Sequence, residues 1–202
     1  MAHGGLINMI PKRPTAERQT SIKATGGSFD FRHVTFDHSD KLTSDGSIRY
    51  RVNGALEDSN SFREFADGSD FNTERTIASV ALDWDISSAT TLRFNADYTE
   101  DNRPQDIGLV SVDGDLNALD YDLVLSQPWT QYNSDVNNFF AELTHSFNDQ
   151  WRVRAGVSRQ DYQRDRYDNQ LRGVPDEAGN INMRARRRIT RWDFTTTYLD
   201  FI

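Results

Sequence analysis

The feature that most constrains this chain is a strict two-residue alternation. In "SIRYRVNGAL", Ile48, Tyr50, Val52, Gly54 and Leu56 alternate with Arg49, Arg51, Asn53, Ala55 and Glu57. Successive strand side chains point to opposite faces, so this segment has one apolar and one charged face. The pattern recurs in "IASVALDWDI" (Ala78, Val80, Leu82, Trp84, Ile86) and "TLRFNADYT" (Leu92, Phe94, Ala96, Tyr98). "NNFFAELTHSF" (Phe139, Ala141, Leu143, Phe147) and "WRVRAGVS" (Trp151, Val153, Ala155, Val157) repeat it again. Three weaker runs are "TSIKATG", "FRHVTFDH" and "RRITRWDFTTTYLDFI", the last with Trp192, Phe194, Thr196 and Tyr198 in phase. The sum is an all-β antiparallel meander of about eight long strands, without a convincing amphipathic helix.

The apolar face must touch either a protein core or lipid. A soluble β-sandwich also alternates, but its strands usually run to about 5–6 residues, whereas these approach the 9–11 of a tilted membrane strand. Mean hydropathy is -0.74 and charged residues make up 27% of the 202 positions, so no membrane helix is encoded. A transmembrane barrel passes that filter because only alternate residues face lipid. Short polar breaks ("SDKLTSDG", "SSAT", "NDQ") alternate with long ones ("EDSNSFREFADGSDFNTE", the segment from Glu100 to Val136, and "RDRYDNQLRGVPDEAGNINM"). Such a one-sided distribution predicts short turns at one end and long loops at the other, with "GGSFD" as the exception. Lipid is the better partner for the apolar face. Ile48, Tyr50, Val52, Val80, Leu82, Trp84, Leu92, Phe94, Val153 and Val157 are therefore expected on the outer face. Arg49, Arg51, Asp83, Asn95, Arg152 and Arg154 are expected on the inner one.

Other classes recede on composition. A net charge of -8 and no cysteine argue against nucleic-acid binding, disulfides and thiolate metal sites. His3, His33, His38 and His145 are scattered, and "DGSD", "DGDL" and "DYDL" lack the closing Glu of a calcium loop, so no metal or cofactor site is expected. No nucleophile–base arrangement is present, so catalysis is not expected.

Several stretches carry a resemblance. "GGLINMIPKRP" resembles the end of the plug domain of TonB-dependent outer-membrane receptors, and "DGSIRYRVNGALEDSNSFREF" is similar to an early turn and strand of their ferric-siderophore branch. "ADYTEDNRPQDIGL" and "HSFNDQWRVRAGVSRQDYQRD" resemble later strands of the same receptors, in the same order. The resemblance implies a plugged 22-stranded barrel in the Gram-negative outer membrane, with outer-membrane lipid around it. It also implies binding of a ferric siderophore and its uptake powered by the TonB complex. On that basis residues 1–14 read as a remnant of the plug and 15–202 as the first part of the barrel. Signal peptide and TonB box are not seen, so the chain reads as a fragment, an open curved sheet if alone and inactive in transport by itself. An independent eight-stranded barrel with a structural or adhesive role, and a soluble ligand-binding β-domain, remain alternatives.

Two features bear on a ligand site. Tyr121, Trp129 and Tyr132 fall in the longest predicted loop, where they either stack on an aromatic siderophore or pack the loop onto its neighbours. "RARRRITR" (Arg184 to Arg191) either attracts an anionic ferric complex or is a solvated strand end, which charge runs usually are. The inward charges, among them Arg49, Arg51, Arg93, Arg152, Arg154, Asp83, Asp85, Asp97 and Glu142, are expected to need a wide lumen, because a narrow one would require nearly complete pairing.

Overall fold

The computed structural model describes residues 11–108, 120–172, 180 and 182–202. Residues 1–10, which carry most of the plug-like motif, and "DGDL" lie outside the described residues. All eight expected strands form, with a ninth short one. They are β1 (Gln19–Gly26), β2 (Arg32–Lys41), β3 (Ile48–Phe65), β4 (Asp70–Ser87), β5 (Thr90–Arg103), β6 (Leu123–Val124), β7 (Gln131–Ser146), β8 (Arg152–Arg172) and β9 (Asn182–Phe201). The order β1-β2-β3-β4-β5-β7-β8-β9 is an antiparallel meander whose two ends, β1 and β9, do not pair. The sheet is open.

The register confirms the faces. Trp84 lies opposite Ile48 and Leu92, and Leu82 lies opposite Tyr50 and Phe94. Leu92 meets Leu143 and Phe94 meets Ala141, which lies opposite Val157. On this outer face Val52, Val80, Trp84, Phe94, Phe139, Leu143 and Val157 are all exposed. On the other, Asp83 is 7% exposed, Asn95 4% and Glu142 5%. Among the described residues the buried hydrophobics are Phe65, Ala81 and Val124. A soluble domain does the reverse, hiding its apolar side chains and solvating its charges. The molecule is built inside out.

The outer apolar stripe also runs at a slant. Its last apolar residue is Leu56 on β3, Ala78 on β4, Phe139 on β7, Val157 on β8 and Leu199 on β9. Through Ala155, Leu143, Leu92 and Trp84, Leu199 is level with Ile48, eight residues below Leu56. Eight residues over the five strand steps from β3 to β9 are about 26 Å along the strands for about 24 Å across them. A level membrane therefore crosses these strands at a tilt of about 45°, the value of transmembrane barrels.

The inner face is tied by ion pairs between neighbouring strands. Arg51 grips Asp37 through two nitrogens at 2.8 and 2.7 Å, and Arg49 meets Asp85 at 2.7 Å. Glu142 accepts from Arg93 at 3.1 Å and from the Tyr198 hydroxyl at 2.5 Å, while Arg154 reaches Asp200 at 2.6 Å. Most of these charges find partners on adjacent strands, so pairing by itself does not measure the width of the lumen. The unpaired β1 and β9, not unmatched charge, are what mark the sheet as open. The segment before β1 lies on this same face. Lys12 reaches Asp37 at 2.8 Å, Arg13 reaches Asp83 at 3.2 Å, and Arg51 donates to the Arg13 carbonyl at 2.9 Å.

Two expectations are corrected. The stretch "EDSNSFREFADGSDFNTE" is not a long loop: β3 and β4 run on to Phe65 and from Asp70, leaving a four-residue turn at 66–69. Likewise β8 continues to Arg172. The asymmetry between the ends is largely one of strand length, since the strands rise above the apolar stripe as polar ribbons. The hairpin at 27–31 is short because β1 and β2 do not rise with them. Secondly, Trp192, Phe194 and Tyr198 sit opposite Tyr162, Gln160 and Gly156, on the inner face. The outer face of β9 carries Thr195, Thr197, Leu199 and Phe201 instead.

Neighbouring residues on β4 test the partition. Val80→Arg is expected to cost about 2–4 kcal/mol in lipid vesicles, while Ser79→Arg, facing inward beside Asp97, costs under about 1 kcal/mol. Equal costs in urea unfolding would contradict the lipid-facing assignment. A second pair concerns packing. A Cβ on Gly156 would fall 2.3 Å from the Tyr198 ring, whereas on Gly54 its nearest neighbour would be 3.7 Å away. Gly156→Ala is expected to destabilise by about 1–3 kcal/mol and Gly54→Ala to stay within about 1 kcal/mol, by the same measurement.

Candidate functional site

Above the apolar stripe, the inner faces of β7, β8 and β9 gather a group of arginines and aromatics. Strand parity explains the gathering. The run at 184–191 splits between the faces: Arg184, Arg186 and Arg188 share the parity of Tyr198 and turn inward, while Arg187 and Arg191 turn outward. The inward three lie opposite Gln170, Asp168 and Arg166. Direct opposition of Arg166 and Arg188 is unfavourable. Asp168, 5% exposed, relieves it by binding Arg166 at 2.6 Å and Arg186 at 3.2 Å. Among the described residues Arg184 and Arg188 have no acidic partner within 4.0 Å. Solvent reaches both halves of the run: Arg184 and Arg188 are exposed like Arg187 and Arg191, and Arg186 is half-buried.

The aromatic component is set beside these charges. Tyr132 at the start of β7 lies opposite both Arg103 and Arg166. The Arg103 guanidinium stands 4.8 Å from the Tyr132 ring centre and that of Arg164 5.2 Å. Arg164 also donates to the Tyr132 hydroxyl at 2.9 Å and to Thr190 Oγ1 at 3.3 Å. On the next rows Tyr162 and Trp192 stack at 5.3 Å and 21°, and Arg164 comes within 6.0 Å of the Trp192 ring. A guanidinium held over a ring and bonded to a hydroxyl is fixed in place. The result is a positively charged, aromatic stretch of the inner wall.

The described legs of the connection between β5 and β7, 104–108 and 120–130, are held at the far ends of the strands. A register shift on β3 between Asn60 and Glu64 accompanies a turn of Arg63 toward both legs of the connection. Arg63 binds Asp106 on the outgoing leg and the Leu123 carbonyl on the returning one at 2.9 Å. There β6 pairs in parallel with Glu64 and Phe65, burying Val124 and Phe65 beside Phe71. The Ile107 amide donates to Ser126 Oγ at 3.1 Å and Thr130 Oγ1 donates to the Gln105 carbonyl at 3.3 Å.

The three aromatics chosen from sequence separate in space. Tyr132 is on a strand, within the arginine group. Tyr121 is highly exposed, with its ring 6.4 Å from Phe62 on β3. Trp129 is half exposed on the returning leg. Arg103, Arg164, Arg166, Tyr162 and Trp192 were not singled out by sequence reasoning. Their only signal was parity, since each lies on the same face as the buried Glu142.

No family model matches the chain. The metal-pseudopaline receptor CntO of Pseudomonas aeruginosa PAO1 is 29% identical over 201 residues, covering 98% of this chain and 28% of that receptor. The ferripyoverdine receptor of the same strain is 28% identical over 154 residues, 73% of this chain and 18% of that one. Among solved structures, the siderophore receptor PiuA from Acinetobacter baumannii matches with a TM-score of 0.82 at 14% identity, over 96% of this chain and 28% of that one. The P. aeruginosa ferripyoverdine receptor bound to ferripyoverdine matches at 0.80 and 20% identity, over 94% and 25%. The chain therefore spans under a third of the relatives it matches. Its fold is that of a section of a receptor barrel, and the resemblance drawn from its sequence is to proteins that are receptors for metal and iron chelates.

Arg63 is expected to hold the long connection in place. Arg63→Met removes charge-assisted bonds to both legs, an effect of about 1.5–3 kcal/mol. Amide exchange at Leu123 should then accelerate by about 10- to 100-fold, with β4–β5 amides unchanged. Unchanged exchange at Leu123 would assign the restraint to β6 pairing alone.

Proposed function

We propose that this chain is part of the wall of an outer-membrane receptor that binds an anionic ferric chelate of the siderophore class at its external end. The observation that carries the reading is the inward set of Arg103, Arg164, Arg166, Arg186 and Arg188 with Tyr132, Tyr162 and Trp192, above an outer face made for lipid. An iron chelate built from carboxylates, catecholates or hydroxamates is anionic or dipolar and has flat donor groups, which match edge-presented guanidiniums and rings. Tyr121 and Trp129 belong to the same external end and are assigned to the approach of the ligand. Residues 1–14 are assigned to the end of a plug, supported by the seat of Lys12 and Arg13 on the inner face. Uptake in the whole protein is assigned to coupling with the TonB complex, and no catalytic role is assigned to any residue.

The test uses the receptor carrying this chain, in outer-membrane vesicles, with ferric citrate as the anionic chelate and tryptophan fluorescence as readout. Arg164→Met and Arg188→Met are each expected to weaken binding by about tenfold, and raised salt to weaken it further. Binding unchanged in the doubly substituted protein would overturn the assignment of this wall.

A further inference from the structure

The lipid-facing side of the wall carries a groove of about 350 Å³ at the upper margin of the apolar stripe. Ala78 and Ala96 leave room there between the larger Val52, Val80, Tyr98 and Phe139, all of outward parity. Asn53, Ser79 and Asp97 also border it; their side chains have inward parity, so they contribute backbone. The groove is continuous with the exposed Val52, Val80 and Phe139 of the stripe, and it opens to lipid.

Directly above the groove stands a pair of like charges. Glu100 and Asp135 are the next outward residues after Tyr98 and Asn137, and they lie opposite each other on β5 and β7. The Tyr98 hydroxyl is 3.1 Å from Glu100 Oε2 and 3.3 Å from Asp135 Oδ1, and its one proton serves one of them at a time. Asn102 donates to the other Glu100 oxygen at 2.8 Å. Among the described residues neither carboxylate has a basic partner within 4.0 Å. Outward arginines on the neighbouring strands are engaged elsewhere, Arg159 with Asp161 and Arg191 with Gln163. Like charges directly opposite one another are destabilising, and nearby hydrocarbon strengthens the repulsion. Asp135 is four residues beyond Phe139, the last apolar residue of β7. On a strand tilted by about 45° that is about 9 Å above the hydrocarbon edge, at head-group level.

We infer that the groove and the acid pair together seat one phosphatidylethanolamine molecule, with an acyl chain along the groove and the ammonium between Glu100 and Asp135. A primary ammonium has three N–H donors and bonds both carboxylates at once, whereas a quaternary ammonium carries the same charge with no donor. An anionic head group would be repelled, and a bare metal ion would leave the groove unfilled. The site lies on the opposite face from the arginine wall, so it does not depend on the proposed chelate-binding function.

The experiment reconstitutes the receptor carrying this chain in vesicles of equal parts phosphatidylethanolamine, phosphatidylcholine and phosphatidylglycerol, and reads retained lipid by native mass spectrometry. Phosphatidylethanolamine is expected to be retained at least about tenfold over either of the others. The near-isosteric Glu100→Gln with Asp135→Asn should abolish that preference, and Ala96→Phe, which fills the groove, should lower retention of every lipid. Equal retention of the three lipids, no retained lipid, or a preference that survives the double amide overturns the site. So does retention of phosphatidylglycerol that calcium raises and a chelator removes, since that would assign the acid pair to a bridging cation. The comparison of lipids on the unsubstituted protein stands even where a variant fails to fold. Urea unfolding gives a second readout: the double amide should stabilise the protein in phosphatidylcholine, where it removes a repulsion, and not in phosphatidylethanolamine. An equal gain in both lipids overturns the inference.

Discussion

Everything in this molecule depends on the pairing of each strand with its neighbours. In hydrocarbon no water is present to satisfy a backbone N–H or C=O, so a membrane-crossing sheet must complete its ladder within itself. Long uninterrupted registers, such as the sixteen pairs joining β7 and β8, are the result. With the backbone committed, the two faces are free to differ completely, and they do. One is a lipid-matched stripe of Val80, Leu82, Phe94 and Leu143, and the other holds Arg51–Asp37 and Arg93–Glu142. Once the lipid takes the apolar face, no hydrophobic core is needed. Among the described residues, the buried hydrophobics Phe65 and Val124 lie where the long connection meets β3.

What could be read in the sequence follows from the same division. The five clearest strands and their faces were legible, because lipid on one side and polar groups on the other impose a strict two-residue period. Strand ends were not. Above the membrane both faces of β3 and β8 meet water or polar neighbours, so the period vanishes while the hydrogen bonding continues. The phase of β9 was misleading for a related reason: Trp192, Phe194 and Tyr198 are apolar by composition, yet they work on the polar face. Trp192 stacks on Tyr162, and Tyr198 covers Gly156 and donates to Glu142. An aromatic ring with a polar edge suits either side, so its presence does not identify the lipid.

The candidate site shows the limit more sharply. Its members come from positions as far apart as Arg103 and Trp192, and only the register brings them together. The arginine run at 184–191 was visible, but its meaning was not, since a run has no face until its strand has a partner. Splitting it by parity yields one outward half paired with Asp165 and Gln163, and one inward half crowded around Asp168. The two-residue β6 has no sequence signature at all. It forms beside Arg63, which bonds both described legs of the long connection.

The slant of the apolar stripe has a mechanical meaning. With strands at about 45° to the membrane normal, a pull along the pore axis divides almost equally between directions along and across each ladder. The component along the strands loads many parallel hydrogen bonds at once in shear, so the sheet does not open one rung at a time like a peeled hairpin. Tension carried by the chain ahead of β1 enters this wall at Lys12 and Arg13, whose ionic partners are on β2 and β4, with β3 between holding the Arg13 carbonyl. The load is thereby spread over three strands before it reaches the exposed edge at β1.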